Sequence, residues 1–599
     1  MNETSNTESG WRIPRRVLIT LAILATLIAI FYAEEDWRGK RAWENCKREL
    51  EAKGAVLDWG KYIPPPVPDD QNFFEAPKMA EWFVRHHPPG SLAEIAWNNT
   101  NELNLHLNPK YPFDVASRNG SNGPVVVAEF FFTSPASAEA GLQFGDPAAG
   151  TQAHRLIEDV IGQSATGAQG LTLTAKALNQ IEPEQIRLQA SKIPSANAVA
   201  AFLDVAGVAT NVGRLRIEAG IDSKSFRVLL VPRPSISAAE YLAWSDQAVA
   251  DFDLMREALK RPYARMDGDY TRPFEIPIPS FVMTRTLAQT LAQRTQCYLL
   301  LGQPEKALRE ATLLNDSRHL LERAPTGKPM ILVDAMVNVA ITGLYVNTIA
   351  DGLHSRTWRE PQLVVLQEQL KGIDLPVFVA GAFRTEQAAS CRFIETTPPG
   401  KAAEMLSSGT TKNSLWQKLN NRMFWFLTLA PRGWIYQNMT TVATLEQKPF
   451  DSFSLANQII SPRKSVEANY EGAKFGSHFS PYTYFAAIAV PNYIKAMQVL
   501  GRNQTLINEA QIACALERFH LVHGEYPETL DALAPQFIEK LPHDIIGGQP
   551  LLYRRTGDGK FLLYSVGWNE TDDGGQAVLK PNGSEDLEKG DWVWQAAVK

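Results

Sequence analysis

A mainly α-helical protein with an α+β region near its N-terminus is the fold class that three features of this 599-residue chain predict. An uncharged apolar run opens it, apolar residues recur at helical spacing through its middle, and a long helical pattern followed by two short strand patterns closes it. At roughly 150 residues per domain the length allows about four domains. A composition of 45% hydrophobic and 21% charged residues belongs to a chain that folds rather than one that stays disordered. The 59 Lys and Arg against 65 Asp and Glu leave a net charge of −6, so no whole-chain basic field exists to attract nucleic acid. Cys46, Cys297, Cys391 and Cys514 lie far apart, without the close pairs of a zinc ribbon or a CxxC redox site, and read as buried free thiols.

Residues 17–33 (VLITLAILATLIAIFYA) carry no charge and are just long enough to span a bilayer core as a helix. A transmembrane anchor is the first reading. A cleaved signal peptide is the alternative, because Arg12, Arg15 and Arg16 supply a basic leader, but no small-x-small site ends the run. Arg38, Lys40, Arg41, Lys47 and Arg48 follow the span and outnumber the arginines before it, so charge counting alone leaves the orientation open. Glu34, Glu35 and Asp36 at the exit favour a short cytoplasmic tail, residues 1–16, and an extracytoplasmic bulk. Residues 34–70 read as a charged helix followed by a spacer, in which Pro64, Pro65, Pro66 and Pro68 favour stiff polyproline II that would hold the next domain off the membrane.

Residues 71–236 read as mixed α/β: strands at 125–132 (VVVAEFFF) and 226–231 (FRVLLV), and helices at 153–161 and 196–206. Residues 237–480 read as a helical domain. Within it 287–321 forms a helical hairpin across Leu301-Gly302-Gln303-Pro304, with Ala307 and Ala311 small enough to let the second helix approach the first. On these residues it resembles a tetratricopeptide hairpin. One copy cannot close a solenoid, so helices at 330–350 and 361–371 are expected to complete the core. Residues 395–414 read as a loop, followed by an aromatic cluster: Trp416, Phe424, Trp425, Phe426, Trp434 and Tyr436. Core packing is the favoured reading of that cluster, with docking at a membrane interface as the alternative.

In residues 481–599, a long helix runs through Ala496, Leu500, Ile507, Ala510 and Cys514 to a C-terminal Gly524. A short helix follows at 528–533, and then a hairpin of 551–555 with 561–566 across Thr556-Gly557-Asp558-Gly559. With AVPNY, ALERF, HGEYPETLDAL, Leu562-Leu563-Tyr564-Ser565-Val566-Gly567 and the Asp-rich loop behind them, this ending resembles the type II secretion major pseudopilin and type IV pilin-like headpieces. The whole chain resembles larger membrane-anchored bacterial proteins that join a helical region to such an ending. The likeness implies a link to secretion or pilus-like machinery and a calcium ion held by Asn569, Asp572, Asp573 and Asp591, whose hard oxygens suit that ion. An Asx-turn loop without metal is the alternative. No prepilin cleavage site precedes an apolar span, so polymerisation as a pilin is not expected.

Three catalytic-looking patterns are set aside. Ser461 and Lys464 match SxxK without its companion motifs. His520 and His523 share a helical face with no third ligand, and His86-His87 precedes a Pro-Gly loop without a carboxylate. GxSxG, HExxH, Walker A and GxGxxG are absent from the sequence. The expected role is a membrane-anchored interaction or scaffold protein of the bacterial envelope with a protein partner. An envelope enzyme or small-ligand-binding protein with its site in 71–236 is the rival expectation.

Overall fold

The computed structural model describes residues 12–83, 126–131, 185–189, 213–219, 225–232, 238–328, 330–398, 430–476, 480–483, 493–580 and 585–594. It is mainly helical, with small sheets, and divides into two units, Trp97–Tyr241 and the remainder of the chain.

The smaller unit contains β1 (Val126–Phe131), β2 (Gln185–Gln189), β3 (Gly213–Ala219) and β4 (Ser225–Pro232), in the order β2-β1-β4-β3. Strands β1 and β2 run parallel, while β4 pairs antiparallel with both β1 and β3. The β-branched and aromatic runs expected as strands are β1 and β4. The other two were missed because Arg187, Arg214, Arg216 and Glu218 interrupt their apolar residues, although Arg214, Arg216 and Glu218 alternate with Leu215 and Ile217 at the strand period. The helices expected at 153–161 and 196–206 lie outside the described residues.

In the larger unit, α1 (Arg12–Ala52) is one unbroken helix. Its run from Val17 to Phe31 exposes its large apolar side chains, and the helix is long and apolar enough to cross a membrane. Its C-terminal half instead joins the folded unit: Leu50 is buried with Ala55, Leu57, Cys391 and Val442.

The proline-rich stretch that follows is not a free spacer. Trp59 and Tyr62 are buried with Ile276, Ile331, Ala388 and Ala389, and Arg265 donates its Nε–H to the Pro64 carbonyl at 3.3 Å. Phe73, Phe74 and Phe83 then pack edge to face. Aromatic anchors on both sides thus tie the prolines to the unit, which includes residues 34–83.

The expected hairpin is α2 (Phe281–Leu300) with α3 (Pro304–Asp316). Pro304 starts the second helix, Gly302 takes the left-handed turn (φ +68°), and Ala307 and Ala311 have no exposed surface. Helices α4 (Leu332–His354), α5 (Glu360–Lys371) and α6 (Leu375–Thr396) follow, as expected near 330–350 and 361–371. Helix α4 is also apolar enough to span a bilayer, but 61% of its apolar window is buried inside the molecule, so it belongs to the core. After α7 (Arg432–Phe450) come the short pair β5 (Phe453–Ser454) and β6 (Ile459–Ile460), then α8 (Pro462–Gly476).

The long C-terminal helix is α9 (Tyr493–His523), closed by Gly524 at φ +82°. It packs on α4, α5 and α6, and its middle, Ile507 to Leu516, lies in the same core as α2 and α3. The helical middle and the C-terminal segment therefore share one hydrophobic core. The helix expected at 528–533 is a single 3₁₀ turn, Leu530–Leu533. The expected hairpin forms between β7 (Leu552–Arg555) and β8 (Phe561–Ser565). Behind it come β9 (Ala577–Leu579), β10 (Glu585–Gly590) and β11 (Trp592–Val593), the last pairing with β8.

Arg502 of α9 holds this ending. It donates to Glu585 (2.9 Å), Glu509 (3.2 Å) and the Val593 carbonyl (3.2 Å), with Glu509 fully buried. Removing the cation leaves two carboxylates without their partner. Arg502→Ala is therefore expected to cost about 3–5 kcal/mol in urea unfolding, with Glu509→Gln costing far less. Equal losses would contradict this reading of the cluster.

Candidate functional site

The four residues expected to bind calcium sit in one loop system, but their side chains are engaged with the chain itself. Asp591, fully buried, accepts from the backbone N–H groups of Asp573 (3.1 Å), Gly575 (2.6 Å) and Gln576 (3.3 Å). Asp572 accepts from Gly574 N–H and the Tyr564 hydroxyl. Asn569 accepts from Thr571 N–H and donates to Asp573. Among the described residues no three His, Cys, Asp or Glu side chains are grouped to hold a metal ion. These hydrogen bonds hold the loop as a set of Asx-type turns.

The patterns set aside have structural places. Ser461 precedes α8, where its Oγ accepts from Lys464 N–H and its carbonyl from the Ser465 hydroxyl, as at a helix start, while Lys464 is exposed. His520 lies against the Tyr526 ring and His523 against Phe519. His86 and His87 lie outside the described residues, as do Trp416, Phe424, Trp425 and Phe426. All four cysteines are free thiols. Cys297, Cys391 and Cys514 are buried, and desolvation raises their pKa values, which keeps them protonated and poorly nucleophilic.

Periodicity did not reveal two further constellations. The first is a set of buried carboxyl groups around α4, α6 and α7. Asp334, in the first turn of α4, lines a cavity of about 30 Å³ together with Arg265, Tyr270 and Met330, room enough for water. Its Oδ1 has no hydrogen-bond partner among the described residues. Burial, opposed by the Ile331 backbone N–H and reinforced by nearby Glu386, lifts its pKa to about 7. Glu386 accepts from Leu332 N–H at 3.1 Å and is also shifted up by burial. Glu446 of α7, fully desolvated, accepts from Ser390 and Tyr493 hydroxyls at 2.9 and 3.2 Å and is held well above the usual carboxylate range, first by burial and then by Glu386. Burial thus favours the protonated form of all three, and Asp334 and Glu386 also take up the Ile331 and Leu332 amides at the start of α4.

The second constellation is where α1 leaves its apolar run. Glu35 is buried and accepts from Arg38, from the Trp434 indole N–H (2.9 Å) and from the Tyr482 hydroxyl (3.3 Å). Asp36 accepts from Gly433 N–H at 2.7 Å, one of the free amides at the start of α7. Here the two helices touch main chain to main chain: a Cβ on Gly39 would meet the Gly433 carbonyl, and one on Gly433 would meet the Glu35 carbonyl. Farther along, Cys46 lies on Thr440 and Thr444, and Arg384 bridges the Lys53 carbonyl and Gln447, so α1 and α7 run in the same direction. Sequence patterning could not show this junction, because its glycines lie almost 400 positions apart.

Compared with protein-family models, curated proteins and solved structures, the chain matches none of them. Its functional reading therefore rests on its own residues.

Two predictions follow from these constellations. A pKa raised in the folded state means that the folded protein binds the Asp334 proton more tightly than the unfolded chain does. That stability is complete below about pH 4 and lost as pH rises through about 7. Asp334→Asn cannot lose a proton, so its unfolding free energy should gain on wild type by about 2–4 kcal/mol between pH 4 and 8; a pH-independent difference would refute the assignment. Gly433→Ala forces the helices apart and should destabilise by at least about 2 kcal/mol, measured by thermal melts, whereas Gly302→Ala meets open space and suffers only from its positive φ.

Proposed function

We propose that this chain is a single-pass, membrane-anchored scaffold whose folded mass lies outside the cytoplasm and works by contact with protein partners in the bacterial envelope. One observation carries the reading: the exposed apolar half of α1 and its docked half are a single helix, joined to α7 through Gly39, Gly433 and the partners of Glu35. A helix fastened in this way would carry the folded unit as a rigid extension of the span. A flexible leash, or a leader meant for removal, has no need of such fastening. The α2–α3 hairpin supports a tetratricopeptide-like surface in the middle of the scaffold. The α9 helix with the β7–β8 hairpin supports a pilin-like ending that caps the helical unit. A role beside secretion machinery follows from that ending alone.

Expression of the full chain in a bacterial host tests the anchor. It is expected to stay with membranes through carbonate and urea washing, and a version lacking residues 1–33 should be released. In intact spheroplasts, added protease should degrade the folded bulk if it faces outward. Recovery of the full chain in the soluble fraction would overturn the anchor, and protection of the bulk would overturn the orientation.

A further inference from the structure

Rings and guanidinium groups gather where the span leaves its apolar run, some of them within the junction and some exposed beside it. Trp37 is 62% exposed, with Arg41 stacked 5.3 Å above its ring, and Arg432 sits 5.8 Å from the centre of the Tyr436 ring. We propose that these four residues, with Trp434 and Tyr482, form a docking surface for phospholipid head groups and seat the larger unit directly on the bilayer. This deepens the anchor reading and rests on it.

Depth is the main argument. At 1.5 Å per residue, a span ending at Ala33 places Glu35 only about 3 Å beyond it along the helix. Trp434 and Tyr482 are hydrogen-bonded to Glu35, so both are held at that level, where a bilayer changes from hydrocarbon to head group. The second argument is direction. Helix α7 runs beside α1 in the same sense, so its first turn, carrying Arg432, Trp434 and Tyr436, is its membrane-proximal end, and the Gly39–Gly433 contact prevents it from swinging away. The third is chemistry. Trp and Tyr place an apolar ring and a polar tip in the two halves of an interface, and Arg lays its stem on apolar surface while its head reaches phosphate. Glu34, Glu35 and Asp36 against Arg38, Lys40, Arg41 and Arg432 leave one excess positive charge, so ring partition rather than net charge drives the seating, which should survive high salt.

The test uses the full chain in phospholipid nanodiscs that contain a trace of a phospholipid bearing a photoreactive group near the head-group end of its acyl chain. Adducts are mapped by mass spectrometry. Adducts are expected in 17–33 and in peptides holding 432–436 and 481–482, unchanged in 1 M salt, with none at Leu521 and Val522, an exposed apolar pair on α9 that serves as the control. Trp37→Ala, at an exposed position, should lower labelling of 432–436 several-fold without changing the melting temperature. Labelling of 17–33 alone would overturn the docking surface and leave the anchor standing. Absence of label from 17–33 would overturn the anchor. Label at 432–436 that is lost in native membranes, with 17–33 still labelled there, would assign the surface to a protein neighbour and overturn the lipid assignment.

Discussion

Where α1 meets α7, main chain lies on main chain. Gly39 and Gly433 leave no side chain between the helices, and that approach lets the Trp434 indole and the Tyr482 hydroxyl reach the same buried carboxylate, Glu35. The rest of the α1–α7 seam follows from this contact: Cys46 against Thr440 and Thr444, and Leu50 against Val442 and Ala443. A helix free to pivot at its exit would expose Glu35 and strand two aromatic donors. The close packing makes the apolar run and the folded unit one mechanical body.

The second organising constraint is the treatment of acids in the core. Arg502 pairs two carboxylates and so joins α9 to the C-terminal strands, whereas among the described residues Asp334, Glu386 and Glu446 have no cation among their hydrogen-bond partners. Desolvation favours the neutral form of these groups, so it ties the α4–α6–α7 packing to pH. Hydroxyl donors from Ser390 and Tyr493 supply what solvation Glu446 has.

What could be read in advance followed the range of the interactions. The apolar run, the α2–α3 hairpin with its Gly302 turn, the long α9 and the β7–β8 pair all announce themselves through spacing within a few residues. The proline stretch reads as a spacer because polyproline preference is local, while the burial of Trp59 and Tyr62 just before it depends on Ile276, Ile331 and Ala388, hundreds of residues away. The Asp-rich loop was recognised as a turn rich in oxygens. That Asp591 accepts from the amides of Asp573, Gly575 and Gln576 depends on strand β11 folding back beside β8, which residue types do not encode. Asp334 and Glu446 gave no signal, since a single acid at a helical position looks exposed until the surrounding helices are known.

By itself the sequence determined which segments are helix or strand wherever apolar periodicity was strong. It also determined that one segment near the N-terminus is apolar enough for a bilayer and that no common catalytic motif is present. These are short-range properties, set by side chains within a turn or two of one another. Only the tertiary structure decided that α1 continues unbroken into the folded unit, that α9 sits inside the helical core, and which carboxyl groups lose their water. Close backbone approach and desolvation arise between residues far apart in the chain, and so become visible only when the chain is folded.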